Sequence, residues 1–207
     1  MQQGKAWDEL RAKIEVMYPQ LMTGLNGAVS KQDLAQLTVW FKQEVKQELP
    51  ANLLTLYSAN DGENQSVTLG YMFGLSFMSL SQVLRTLEDG RAFLEEYDDE
   101  VHAFCASRET GKVKLLLANA KWVPLLTDGC DNFIGLDFDP DSQGTFGQVI
   151  NFGPDEEEKF VFADSLEEFF ELLFHCLEHA VWDSDAHMFH FQKMQFIDAL
   201  KMIYFEC

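Results

Sequence analysis

Two sets of side chains in this chain have types and spacings that metal chemistry uses. His175 and His179 are four residues apart on one expected helix face, with Glu178 beside them and His187 and His190 downstream. Zinc sites employ such a pair with a third ligand. The Glu that follows the first His in metalloprotease helices is missing, because Cys176 stands there, and histidines near a helix C-terminus also interact favourably with its dipole. The second set is Asp137-x-Asp139-x-Asp141. An EF-hand calcium loop needs Gly at its sixth position and Glu at its twelfth. Counted from Asp137, Ser142 and Gln148 occupy those places, and Pro140 sits at the fourth. These residues read instead as a turn whose Asp side chains bond the backbone. No metal is expected at either place.

Other catalytic patterns are missing: the sequence has no Gly-x-Ser-x-Gly elbow, no Walker loop and no dinucleotide fingerprint. Asp128 and Asp131 are near enough to act as acid and base, but carboxylates beside a turn glycine are more often structural. Cys130 lies among carboxylates that disfavour a thiolate nucleophile. The expectation is a protein that is not an enzyme and carries no cofactor.

The elements that position these residues follow from periodicity. Trp7, Leu10, Ile14 and Met17 recur at helical spacing over about 5–18, and Tyr18-Pro19 ends that helix. Ser30 can cap a second helix, with Asp33 three residues on and a stripe of Leu34, Leu37, Phe41 and Val45. A short helix is expected around Ala51–Tyr57. Val67 to Phe77 reads as strand-rich, broken at Gly70 and Gly74. Ser79 or Ser81 caps a helix carrying Val83, Leu84, Leu87, Phe93 and Leu94. Lys112 to Leu117 is expected as a strand or short helix. Trp122 to Leu126 is a strand in which Pro124 marks an edge or bulge. Asp128-Gly129 is a turn, and Phe133, Ile134, Leu136 and Phe138 form a second strand, with Gly135 a bulge or close backbone approach. After the turn Asp139–Gly144, Gly147 to Phe152 is a third strand, so the centre is a meander of short antiparallel strands. Ser165 caps a helix with Glu167 and Glu168 near its positive end. Residues 186–205 are expected as a final amphipathic helix. The fold class is α+β, one domain over 1–207, with a mainly antiparallel central sheet and helices packed around it.

Composition agrees. At 207 residues with 47% hydrophobic content and 18 Phe, the chain can bury a real core. No apolar stretch approaches the ~20 residues of a membrane helix, and the first residues lack a signal-peptide core. Cys105, Cys130, Cys176 and Cys207 share no zinc or redox spacing, which favours a reducing, cytoplasmic setting. The charge is lopsided. Residues 1–121 hold 12 basic and 16 acidic residues, whereas 122–207 hold 3 basic and 18 acidic, a net of −15. Such a field repels nucleic acid and anionic membranes and speeds association with a basic partner.

The candidate partner-binding residues are therefore the acidic clusters Glu95, Glu96, Asp98, Asp99, Glu100 and Asp155, Glu156, Glu157, Glu158. Trp182, Asp183 and Asp185 form a further candidate anchor, with Phe189 and Phe191 nearby.

Several residues also carry a family resemblance. Trp122-x-Pro124, Asp128-Gly129, Leu136-Asp137-Phe138-Asp139-Pro140 and Gly144-Thr145-x-Gly147-Gln148-Val149-Ile150 resemble the core of the SUKH superfamily. Glu48-Leu49-Pro50 with Leu53, Leu56, Tyr57 and Asn60-Asp61-Gly62 resembles its opening helix and loop. Ala163 to Phe169 with Leu172 and Leu173 resembles its closing helix. The likeness runs from about Leu34 to Leu177, leaving the first and last helices as additions and residues 101–118 as an elaboration. It implies a SUKH-like α+β fold in which Trp122, Pro124, Asp128, Gly129, Asp137, Asp139, Pro140, Gly144, Gly147 and Gln148 are structural. The superfamily includes Smi/Knr regulators of fungal cell-wall assembly and bacterial immunity proteins. The resemblance therefore implies a non-catalytic domain that binds a protein partner. The acidic half favours an immunity protein neutralising a basic toxin such as a nuclease; the alternative is an intracellular scaffold or regulator.

Overall fold

The computed structural model describes residues 4–96, 105–191 and 194–206. Helix α1 (Lys5–Met17) is followed by α2 (Lys31–Trp40), which runs into a π-turn over Phe41–Val45, and then by α3 (Ala51–Ala59). Strand β1 (Ser76–Phe77), helix α4 (Leu80–Glu96) and strand β2 (Ala106–Ser107) come next. The meander β3 (Trp122–Thr127), β4 (Phe133–Asp137) and β5 (Gln148–Phe152) leads to β6 (Glu158–Lys159) and β7 (Val161–Ala163). Helix α5 (Leu166–Cys176), strands β8 (Ala180–Asp183) and β9 (Met188–Phe191), and helix α6 (Phe196–Glu206) complete the chain. The main sheet has the order β1-β3-β4-β5-β7 with every pairing antiparallel. The chain is thus α+β, with helices around a five-stranded antiparallel sheet.

Local chemistry sets the helix starts. Ser30 Oγ accepts the Asp33 N–H at 3.0 Å, as a capping serine should. Ser79 and Gln82 make a reciprocal box at the head of α4, Ser79 N–H reaching Gln82 Oε1 at 2.8 Å and Gln82 N–H reaching Ser79 Oγ at 3.4 Å. Ser165 Oγ accepts the Glu168 N–H at 3.2 Å. Glu167 does more than complement its own helix. Its carboxylate accepts the Ala6 N–H at 2.8 Å and the Gly4 N–H at 3.3 Å, capping α1 from α5. The two helices pack through Trp7 and Phe170, ring centroids 5.1 Å apart. Of the expected α1 stripe, Trp7, Leu10 and Ile14 are buried, while Met17 in the last turn is exposed.

Strand β3 lies between β1 and β4, an interior place that proline normally avoids. Its register with β4 shifts between Pro124 and Leu126, so the bulge predicted from Pro124 is present. Gly135 lies opposite, and a Cβ there would stand 2.2 Å from the Val123 carbonyl oxygen. The close backbone approach expected of Gly135 is therefore real.

Three expectations fail, each for a local reason. Val67 to Phe77 is a succession of turns and isolated bridges, with regular strand only at Ser76–Phe77. The segment wraps the buried Glu63 carboxylate, which accepts from Tyr71 N–H at 2.9 Å, Ser76 Oγ at 2.7 Å and Thr68 Oγ1 at 3.3 Å. Lys112 to Leu117 is neither strand nor helix, because its backbone receives the neighbouring turn: the Lys112 carbonyl accepts both Asp141 N–H and Gln148 Nε2. Residues 186–205 are not one helix. Met188 to Phe191 alternate half-buried and buried as strand β9, paired with β8, and helix begins only at Phe196. The period-two pattern of Phe189 and Phe191 was hidden within a run rich in Phe, Met and His.

Candidate functional site

The motif residues of the meander build a buried polar knot. Asp137 is fully buried, and its Oδ1 accepts Trp122 Nε1 at 3.0 Å and the Asp139 N–H at 2.8 Å. Its Oδ2 accepts Gln148 Nε2 at 2.9 Å, while Gln148 Oε1 accepts the Thr145 N–H at 2.9 Å. Burial raises the Asp137 carboxyl above its ordinary range, and these three donors pull it back. Asp139 is held by Lys114 Nζ at 2.6 Å, Asn119 Nδ2 at 3.0 Å and Lys121 Nζ at 3.5 Å. Burial pushes its carboxyl up, but these donors and the two lysine charges bring it below the usual value. Asp141 accepts the Ser142 N–H at 2.6 Å, and Pro140 is half-buried between them. Gly144 lies against the Lys112 carbonyl, and Gly147 N–H donates to the Asp137 carbonyl at 2.7 Å. The Asp-rich run is a braced turn, as expected from its residue types.

Asp128 is likewise spent on its turn. Its carboxylate accepts from Cys130 N–H at 2.7 Å and from Asn132 N–H and Nδ2 at 3.2 and 2.9 Å, while Gly129 N–H donates to Thr127 Oγ1 at 3.0 Å. Asn132 Nδ2 also reaches Asp155 at 3.1 Å, so one amide brings the carboxylates of two loops together. Asp131, beside them, is exposed.

The acidic candidates separate. Glu95 and Glu96 are exposed at the end of α4; Asp98, Asp99 and Glu100 lie outside the described residues. Asp155, Glu157 and Glu158 are exposed. Glu156 is a correction: it is buried at 6% exposure, bonded to Asn151 Nδ2 and paired with Lys201 Nζ at 2.7 Å. It ties α6 to the sheet and presents nothing to a partner. Its neighbours Asp155, Glu157 and Glu158 all stay exposed, and no sequence period marks the inward one.

Trp182 is half-buried against Phe189, ring centroids 5.2 Å apart, on the β8–β9 hairpin. Asp183 accepts the Ala186 N–H at 3.0 Å and the Asp185 N–H at 2.8 Å, which hold its carboxyl below the usual range. Asp185 is exposed. His175 and His179 are exposed, and α5 ends at Cys176, so His179 sits in a separate 3-10 turn. Among the described residues no group of three or more His, Cys, Asp or Glu is placed to hold a metal. Among the same residues no helix is long and apolar enough to cross a membrane.

The sequence reading missed a groove. A cavity of about 410 Å³ opens between α4 and the end of the sheet, lined on one side by Leu87, Gly90, Phe93 and Leu94 and on the other by Trp122, Phe133 and Phe152. Among the described residues, both charged groups that line it are acids, Asp89 and Asp131. The available signal was Gly90, a glycine within a helical pattern.

A family model described as the SMI1 / KNR4 family (SUKH-1) matches residues 29–172. The cell wall biosynthesis/cell cycle regulator smi1 of Schizosaccharomyces pombe is 26% identical over 188 residues, covering 86% of this chain and 36% of that protein. The glucan synthesis regulatory protein of Neurospora crassa is 21% identical over 212 residues, covering 87% and 39%. The cell wall assembly regulator SMI1 of Saccharomyces cerevisiae is 39% identical over 70 residues, covering 34% and 14%. The chain spans 36% and 39% of the length of the first two of these relatives.

Proposed function

Because the chain belongs to the SMI1 / KNR4 family (SUKH-1), we propose that it is a non-catalytic, cytoplasmic protein-binding domain whose acidic surface receives a basic partner. One observation carries this reading: the negative charge of residues 122–207 is not cancelled locally. Of the three cations there, Lys159 is buried, Lys201 pairs with Glu156 at 2.7 Å and Asp198 at 3.7 Å, and Lys193 lies outside the described residues. The first half supplies cations only to Asp139, Asp164 and Glu178 among the described ion pairs. Among the described residues, Asp131, Asp155, Glu157 and Glu158 stand exposed and join no ion pair. In such a field association is fast and salt-sensitive.

The finer reading is an immunity protein that neutralises a basic toxin such as a nuclease by occupying its substrate groove with carboxylates where phosphates would lie. The names of the fungal relatives favour a second reading, a regulator of cell-envelope assembly. Affinity capture of the tagged chain from its own cells, at low and moderate salt, tests the proposal. A stoichiometric basic protein lost as salt rises supports it; recovery of no stoichiometric protein overturns it. Deletion separates the two readings. Sensitivity to toxin-bearing siblings supports immunity, and an envelope defect without that sensitivity supports the regulator.

A further inference from the structure

Thr86, Leu87, Gly90, Phe93 and Leu94 share one face of α4 and line the groove at positions one, four, seven and eight residues apart from the first. A helix face of this kind ordinarily carries a side chain at every core-facing position. Here Leu87 is buried, but Gly90 contributes none, and a Cβ added to it would meet nothing within 4 Å among the described residues. Glycine inside a helix costs about 1 kcal/mol relative to alanine. A larger apolar residue would improve both the helix and its packing. The depression is therefore kept open against local stability. That is the signature of a site rather than of a core.

The opposite wall is rigid. Trp122 is fixed by Asp137, and the rings of Trp122 and Phe133 each lie against Phe152, at centroid distances of 5.5 and 5.4 Å. The rim is anionic. Asp89 and Asp131 line it, Asp128 and Asp155 are gathered by Asn132 beside Asp131, and Glu95 and Glu96 follow directly on Phe93 and Leu94. Two cations close by in sequence are engaged elsewhere. Arg91 reaches Glu44 at 3.5 Å, and Lys121 reaches Asp139 at 3.5 Å. The volume falls in the range of ~300–1,000 Å³ typical of ligand sites, so size alone does not identify an occupant. Charge does: an apolar floor with an acidic rim complements an apolar anchor flanked by cations.

We propose that the groove between α4 and the β3–β5 sheet, held open by Gly90, docks a partner segment carrying one or two large apolar side chains flanked by lysines or arginines. This rests on the protein-binding reading above and gives that partner its chemistry. The segment inserts its apolar side chains beside Phe93, Phe133 and Phe152 and sets its cations against Asp89, Asp131 and Asp155, as an amphipathic helix does in a groove.

The test uses the full chain and three labelled amphipathic peptides with the same Leu and Phe face and with Lys, Ser or Glu on the other, read by fluorescence anisotropy. A chain of net charge −19 attracts any lysine peptide, so the decisive comparison is between Gly90→Phe and Gly90→Ala. Phe fills the groove without altering charge, and Ala restores the helix without filling it; urea unfolding establishes that both are folded. The expected result is binding of the Lys peptide alone, weakened at least about tenfold by Gly90→Phe and within about twofold of the parent for Gly90→Ala. Reversal of Asp89 and Asp131 together to Lys is expected to weaken it similarly. Equal binding to the parent and Gly90→Phe overturns the groove, as does equal binding of the Ser peptide, or no binding of the Lys peptide. The two proposals fail separately. A captured partner that Gly90→Phe still holds leaves the protein-binding reading standing and removes the groove.

Discussion

Replacing Trp122 with Phe tests whether the buried knot at Asp137 braces the meander as its geometry indicates. The indole N–H donates to a fully buried carboxylate at 3.0 Å, and a hydrogen bond to a charged group contributes about 1.5–3 kcal/mol. The smaller ring leaves about 40 Å³ empty, which at ~24 cal/mol per Å³ adds about 1 kcal/mol. The expected loss at neutral pH is therefore about 2.5–4 kcal/mol, measured by urea unfolding. Its pH dependence separates the two contributions. Burial already raises the Asp137 carboxyl above its ordinary range, and removing a donor raises it further. The variant then binds a proton at pH values where the parent has released it. The stability gap consequently widens as pH rises through that interval, while the cavity contribution stays constant. Unfolding measured in mild acid and at neutral pH should therefore differ, with the smaller loss in acid. A loss that is equal at both pH values would show that the hydrogen bond contributes nothing and that Trp122 acts through packing alone.

Three further outcomes follow from the same structure. Gly90→Ala should stabilise the chain by about 0.5–1 kcal/mol, since its Cβ enters open space in a helix; a lowered urea midpoint would contradict this. Gly135→Ala should destabilise by more than about 2 kcal/mol, because its Cβ would stand 2.2 Å from the Val123 carbonyl in a bulged strand that cannot move aside; near-parent stability would refute the close approach. Burial lowers the Lys159 ammonium to about 8. Its folded value lies below its unfolded one, so the parent should gain stability relative to Lys159→Met as pH climbs from about 8 toward the ordinary lysine value, the opposing effect of the buried Cys176 thiol, pushed up to about 11, being common to both chains. A constant difference between the two profiles across that interval would contradict the buried cation.

What the sequence disclosed and what it hid divide along physical lines. The strands around Trp122–Phe152 were legible because Pro124, Gly129, Gly135 and Pro140 punctuate short apolar runs, and each does so for a local steric reason. The caps at Ser30, Ser79 and Ser165 were legible for the same cause, a side-chain oxygen within reach of its own helix. Val67–Phe77 was not, because its conformation answers to Glu63, a buried carboxylate that no local pattern announces. The final segment failed because Phe189 and Phe191 pair with β8 at a two-residue period inside a run that also satisfies a helical one. The candidate site was only half visible. Charge marked Asp155, Glu157 and Glu158, but the inward turn of Glu156 depends on Asn151 and on Lys201, 45 residues away in sequence. The groove escaped because its walls come from α4 and three strands, and its clearest sequence mark is a single missing side chain at Gly90.

The central claim is that a partner reads the acidic surface, and the most direct measurement is the association rate of the captured partner at about 50 mM and about 500 mM salt. The account predicts a fall of at least about tenfold in the association rate with little change in dissociation. An association rate that does not change with salt would contradict it and reduce the charge of residues 122–207 to a matter of solubility.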